Sequence, residues 1–195
     1  MFYREAGDFK TSYQDDNQTF PIKFDRYRYY FVLFVAFAII PFMINDYWVN
    51  AVFLPFLIYA IAALGLNILT GYCGQVSLGT GGFMAVGAYA VYKLMTMFPE
   101  VNVLIHIVLA GVVTAGVGVL FGLPSLRIKG FYLAVTTLAA HFFVEWSINR
   151  IGWLSNYSPS HTIGGPNRDM FGIAVMGPNA EPAAKYLLML VLIIL

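Results

Sequence analysis

Few side chains in this 195-residue sequence could do chemistry, and most of them gather in two places. The first is Gly71-Tyr72-Cys73-Gly74-Gln75-Val76-Ser77-Leu78-Gly79-Thr80-Gly81-Gly82. There Gln75, Ser77 and Thr80 place neutral amide and hydroxyl groups among glycines. Glycine permits positive φ and close backbone approach, and such polar groups can serve main-chain atoms freed by an interrupted helix or a passing solute. The bland alternative is an ordinary turn between two helices. A turn bathed in water commonly carries Lys, Arg, Asp or Glu, and residues 66–81 contain none. That absence favours a buried, path-lining element. The segment is neither a dinucleotide fingerprint nor a P-loop, since it lacks a surrounding βαβ pattern and a Gly-Lys-Ser/Thr ending.

The second place is His141 and Glu145, four apart and so on one helix face. Deep in a membrane this pair would suit a proton relay or a polar path. A carboxylate within a span costs roughly 2.5–3.5 kcal/mol on insertion scales. The alternative, that Glu145 lies in the last turn of its span and reaches water, is the better reading. His106 reads as a bundle-facing polar contact, and Lys93 as a side chain snorkelling from the outer end of its helix. Three histidines and the single Cys73 offer no metal-ligand spacing and no intrachain disulfide. No Ser-His-Asp, Cys-His or paired-carboxylate arrangement stands out. No catalytic residue, no metal and no enzymatic activity are expected.

The elements that position these residues are set by composition. The chain is 59% hydrophobic and 11% charged, with mean hydropathy +0.72, against about 25% charged in ordinary globular domains. The apolar residues come in long runs, which suits a bilayer. A net charge of +1 gives no reason to expect nucleic acid. The expected fold is an all-α polytopic membrane protein. Five complete transmembrane helices are read at about 29–44, 47–69, 82–98, 101–121 and 130–148, with the start of a sixth from about 183. The glycine-rich break falls between spans two and three. Non-helical backbone survives at membrane depth only where protein buries it or water lines it, so interrupted spans point to translocation paths.

Residues 1–28 are expected to form an N-terminal arm, and 29–195 a transmembrane domain, C-terminally incomplete, with an external segment at 150–183. The arm is polar and mixed in charge, so the first span reads as an uncleaved anchor. That span is short, but Arg28 can snorkel and Tyr27, Tyr29 and Tyr30 can sit at the interface. The apolar run reaching Leu195 is about half the roughly 20 residues a crossing needs, so the sequence is expected to continue. Lys23, Arg26 and Arg28 before span one, and Arg127 and Lys129 between spans four and five, place the N-terminus in the cytoplasm. Arg150, Arg168 and Lys185 oppose this mildly, but long external segments follow the rule poorly. The external segment is rich in Gly, Pro, Asn and Ser, so turns and short helices are expected. Asn17-Gln18-Thr19 and Asn156-Tyr157-Ser158 match the short glycosylation pattern, which recurs by chance. In span four, Gly111, Thr114, Ala115, Gly118 and Gly122 recur at helical spacing, with Gly118 and Gly122 as a GxxxG pair for close helix packing.

Three stretches resemble a known family. LGLNILTGYCGQVSLGTGGFMAVGAYA resembles the signature of the LivM-type permease subunits of branched-chain amino acid ABC transporters. GLPSLRIKGFYLAVTTLA resembles that family's second conserved stretch, and TIGGPN a third. They occur in the family's order and span residues 64–167. Two places depart from the pattern: Thr80-Gly81, where many members have His and a small residue, and Arg168-Asp169, where a glycine is usual. The resemblance implies a bacterial inner-membrane permease working by alternating access. It implies as partners a homologous second permease subunit, two cytoplasmic ATPases that hold the ATP and Mg, and a periplasmic solute-binding protein. No cofactor is then expected in this chain. It places Gly71, Gly74, Gln75, Ser77, Leu78 and Gly79 at or near the path, and Gly164, Gly165, Pro166 and Asn167 near the binding-protein face. Close relatives import urea and short amides, which leaves the solute open. A stand-alone secondary transporter or channel using His141 and Glu145 is the competing reading, and a non-functional fragment is a third. The shortage of deep polar residues in spans one to four opposes the second.

Overall fold

The computed structural model describes residues 11–16, 23–125, 131–160, 162–170, 173–177 and 180–194. Arg127, Lys129, His161, Leu195 and the Asn17 pattern lie outside the described residues. The chain divides into two compact units, Met1–Ile44 and Asn45–Leu195.

In the first unit, a single turn α1 (Tyr13–Asp16) precedes α2 (Lys23–Phe34). A wide π-helical turn (Val35–Ile39) joins α2 to α3 (Ile40–Met43), making one apolar helix over Phe24–Met43. The helix starts earlier than the expected residue 29. Asp25 supplies an acidic group to its first turn and pairs with Arg28 at 3.8 Å, one turn on. Charges so placed extend a helix rather than end it.

In the second unit, Asn45 caps a 28-residue helix, its Oδ1 accepting from the Trp48 N–H at 3.3 Å. This helix comprises α4 (Asp46–Trp48), a second wide turn (Val49–Phe53) and α5 (Leu54–Cys73). Both wide turns have one cause. Pro41 and Pro55 each follow two residues after the turn ends. A proline has no N–H for the carbonyl four residues back and its ring crowds that carbonyl. The chain widens instead, with Ile40 N–H bonding Val35 O and Leu54 N–H bonding Val49 O.

Three further helices follow: α6 (Thr80–Met97), α7 (Val103–Ser125) and α8 (Phe131–Arg150). A two-stranded antiparallel hairpin, β1 (Arg168–Met170) and β2 (Ile173–Met176), precedes α9 (Pro182–Ile194). The hairpin corrects the all-α expectation for the external segment. The short apolar run Ile173-Ala174-Val175-Met176, with β-branched Ile and Val and with Val175 buried, is a strand signal among the turn residues. Among the described residues, Phe24–Met43, Asp46–Cys73 and Val103–Leu123 are long and apolar enough to cross a membrane.

The core of the second unit forms where α6 lies against α7 and α8, and where α5 lies against α9. Met95, Val103, Ala110, Leu133, Ala134, Val144 and Ile148 are buried in the first cluster. Val49, Leu57, Tyr186 and Leu190 are buried too, and Phe53 meets Tyr186 edge to face at 5.4 Å. The small-residue stripe of α7 divides. Gly118 faces Phe83, and Thr114 faces Gly87, on α6. Gly111 and Gly122 have open space where a side chain would go, and Ala115 is exposed. Among the described residues, the close contacts of this face to α6 are those of Thr114 and Gly118.

Candidate functional site

The glycine-rich segment is mostly helix. α5 continues through Gly71 and ends at Cys73, and α6 begins at Thr80. The break is residues 74–79, which corrects the wider 71–82 reading. The physical reason is the cap. Gly74 adopts φ +62 and its N–H bonds Thr70 O at 3.1 Å, a left-handed ending that glycine reaches without a Cβ penalty. Gly71 is helical, exposed and free of neighbours, so its missing side chain interrupts nothing.

The break lies against α8. The Leu78 N–H donates to Thr137 Oγ1 at 3.0 Å, and the Gly79 N–H to Ser77 Oγ at 3.3 Å. Gly79 is buried, and a Cβ there would come within 2.9 Å of the Thr137 carbonyl oxygen. One turn further along α8, His141 fills the space beside the first turn of α6. A Cβ on Gly82 would meet His141 Cα at 3.1 Å, and one on Gly81 would meet its Cε1 at 3.0 Å. Close approach thus requires glycine at 79 and leaves little room for a side chain at 82, while 71 is unconstrained.

Behind this contact is a cavity of about 510 Å³. Gln75, Val76 and Ser77 line it from the break, Phe121 and Gly122 from α7, and Thr136, Thr137 and Phe143 from α8. Its size falls within the roughly 300–1,000 Å³ of small-molecule sites. Among the described residues, none that lines it carries a charge. The two threonine hydroxyls donate to their own helix, Thr136 to Tyr132 O at 2.8 Å and Thr137 to Ala134 O at 2.9 Å. The described walls can therefore hold an apolar group and offer a few neutral hydrogen bonds.

Of the predicted path residues, Gln75 and Ser77 line this cavity. Leu78 and Gly79 form the contact with α8, while Gly71 and Gly74 sit at the exposed end of α5. Thr137 was not singled out from the sequence. The signal was a Thr-Thr pair inside an apolar helix, where a hydroxyl needs a partner.

His141 and Glu145 are separated in role by the packing. His141 is half-buried with Nδ1 unbonded, whereas Glu145 is exposed. Glu145 is not in the last turn as expected, because α8 continues to Arg150. His106 is 1% exposed, and its Nδ1 lies 3.1 Å from Asn102 O at the start of α7. Among the described residues, no group of three His, Cys, Asp or Glu could hold a metal.

The segment between α8 and α9 is tied to the end of α6 at two points. Lys93 Nζ donates to Trp153 O at 2.8 Å and to Asn156 Oδ1 at 2.5 Å, and Asn156 Nδ2 donates to the Tyr92 hydroxyl at 3.1 Å. Arg168 Nη2 donates to Met95 O at 2.7 Å. Arg168, Asp169 and Asn167 share a polar cleft with Glu100 and Asn102. Gly164 and Gly165 are exposed, Pro166 is half-buried, and Asn167 packs against Gly177, whose φ is +96.

The model of the permease component of branched-chain amino acid transport systems matches residues 49–195. The high-affinity branched-chain amino acid transport system permease protein LivM of Salmonella typhimurium is 40% identical over 127 residues, 65% of this chain and 28% of that protein. Its Escherichia coli counterpart is 39% identical over 127 residues, with the same coverage. The chain thus matches little more than a quarter of the length of these curated relatives. No solved structure matches it.

Proposed function

The chain belongs to the family of permease components of branched-chain amino acid transport systems, and on that premise we propose that it forms part of the solute path of an ABC importer for branched-chain amino acids. The observation that carries this reading is the cavity joining the break to α7 and α8, whose described lining is apolar and neutral. Its apolar wall suits an aliphatic side chain, and Gln75 and Ser77 offer neutral groups to a polar backbone. Weak polar contact suits a conduit, since a path must release what it admits. Solute selection then rests largely with a binding protein.

The membrane arrangement belongs to the same proposal. In this proposal the five spans and the start of a sixth are assigned to the helices Phe24–Met43, Asp46–Cys73, α6, α7, α8 and α9, supported by three helices long and apolar enough to cross a membrane. Lys23, Arg26 and Arg28 at the first helix put the N-terminus in the cytoplasm. The break then lies toward the cytoplasmic side, and the hairpin segment faces the periplasmic binding protein. A second permease subunit and two ATPases complete the assembly, and ATP and Mg belong to the ATPases.

The test is uptake into proteoliposomes holding the full-length permease, its partner permease and both ATPases, with the binding protein outside. ATP-dependent accumulation of leucine, isoleucine and valine is expected. Accumulation of urea or acetamide alone, or uptake indifferent to ATP, would overturn the reading.

A further inference from the structure

We propose that Thr137 is the positioning residue that seats the helix break on α8, and so fixes the mouth of the cavity. Its transport consequence rests on reading that cavity as the solute path. Three contacts converge on this one residue. Its Oγ1 accepts the Leu78 N–H at 3.0 Å, across 59 positions of sequence. The same hydroxyl gives its proton to Ala134 O at 2.9 Å, so it is oriented with a lone pair toward the break. Its carbonyl oxygen lies where Gly79 has no side chain, 2.9 Å from the place a Cβ would take.

The break has little else to hold it. Gly74 N–H and Gln75 N–H turn back to α5, at 3.1 and 3.4 Å. Ser77 Oγ serves Gly79 within the break itself. Val76 and Leu78 are exposed. Among the described residues, the Thr137 bond is the hydrogen bond that ties 74–79 to a distant helix. Threonine suits the post for two reasons. Its hydroxyl accepts and donates at once, and its β-branch leaves few rotamers in a helix. Valine has the same shape without the hydroxyl, and would remove the partner on α8 from the Leu78 N–H.

The test uses the full-length permease, with its native cysteines replaced and Val76→Cys carrying a nitroxide label. Thr137→Val is expected to free the label, with a spectrum shifted toward fast motion, and Thr137→Ser to restore the slow one. Gly79→Ala approaches from the other partner and is expected to free the label as well. In the reconstituted transporter, Thr137→Val should lower the maximal uptake rate by roughly fivefold or more, leaving the half-saturating solute concentration unchanged. Thr137→Ser should recover most of the rate. The proposal is overturned if the label is equally slow in wild type, Thr137→Val and Gly79→Ala, or if serine fails to restore it. The spectra do not depend on transport. A permease that proves inactive toward branched-chain amino acids would sink the functional reading while leaving this one to be decided by the label.

Discussion

Lys93 on α6 sits 4.1 Å from the centre of the Trp153 ring and donates to that residue's own carbonyl oxygen at 2.8 Å. The contact joins the C-terminal end of one helix to the loop that leaves another, 60 residues later. A side chain expected only to snorkel is thus also a tether. The loop it holds is tightly wound, with Asn156 and Tyr157 at φ +50 and +60. Positive φ is costly outside glycine, so such a turn persists only where its surroundings hold it.

Lys93→Met keeps the aliphatic stem and removes the charge. The purified permease should lose about 1 kcal/mol of stability, near the value of an exposed cation–π contact plus part of a charged hydrogen bond. Trypsin cleavage after Arg150 should accelerate. Unchanged cleavage and melting temperature would show that the tether contributes nothing.

Alanine at three glycines should separate cap, contact and ordinary helix. Gly79→Ala must push the break off the Thr137 carbonyl and should cost about 1–3 kcal/mol. Gly74→Ala places a side chain in a left-handed conformation and should cost about 1–2 kcal/mol. Gly71→Ala, in open helical space, should be neutral or raise stability by up to about 1 kcal/mol. Thermal unfolding of the three variants in one detergent gives the order. If Gly71→Ala proves the most damaging, the break starts earlier than Gly74.

Gln75→Ala with Ser77→Ala removes two polar side chains that the break offers to the cavity. Binding-protein-stimulated leucine uptake should fall about tenfold, equivalent to the loss of one or two modest hydrogen bonds. Uptake equal to wild type would remove the break from the path.

Arg168→Lys should not replace Arg168. The guanidinium reaches Met95 O through Nη2 at 2.7 Å while its Nε stays buried, a geometry that depends on the planar fork. Both Arg168→Lys and Arg168→Ala should expose the hairpin to faster amide exchange over residues 168–170. Equal exchange in wild type and Arg168→Lys would count against it.

Much of the helix placement was legible because apolar run length is a strong signal. The helices containing Phe37, Phe56, Val86, Val112 and Val144 all fall in stretches read as spans. Their ends were less legible. Asp25 and Arg28 looked like arm residues, yet they stabilise the start of a helix through their spacing. Gly71 looked like part of a break, yet only Gly74 has the conformation that ends one. The hairpin was obscured by the Gly, Pro and Asn residues around it. The site was half legible. Gln75 and Ser77 stood out as polar groups in an apolar setting, whereas Thr137 acquires its role only when a segment 59 residues away is laid against it. No periodicity along α8 encodes that meeting.

The wide turns at Val35–Ile39 and Val49–Phe53 have a consequence for how their helices can move. Each holds one residue more than a regular turn, so the downstream face is rotated by about 100° from where an unbroken helix would put it. Proline also leaves one carbonyl without its usual partner, and kinks concentrate at such points. Each of these two helices is in effect a long rod joined to a short end piece through the wide turn. Within the second, Val49 lies in the joint itself and Leu57 beyond it, both buried. Bending at 49–53 would therefore swing the α5 rod, and the break at its far end, without unwinding either piece.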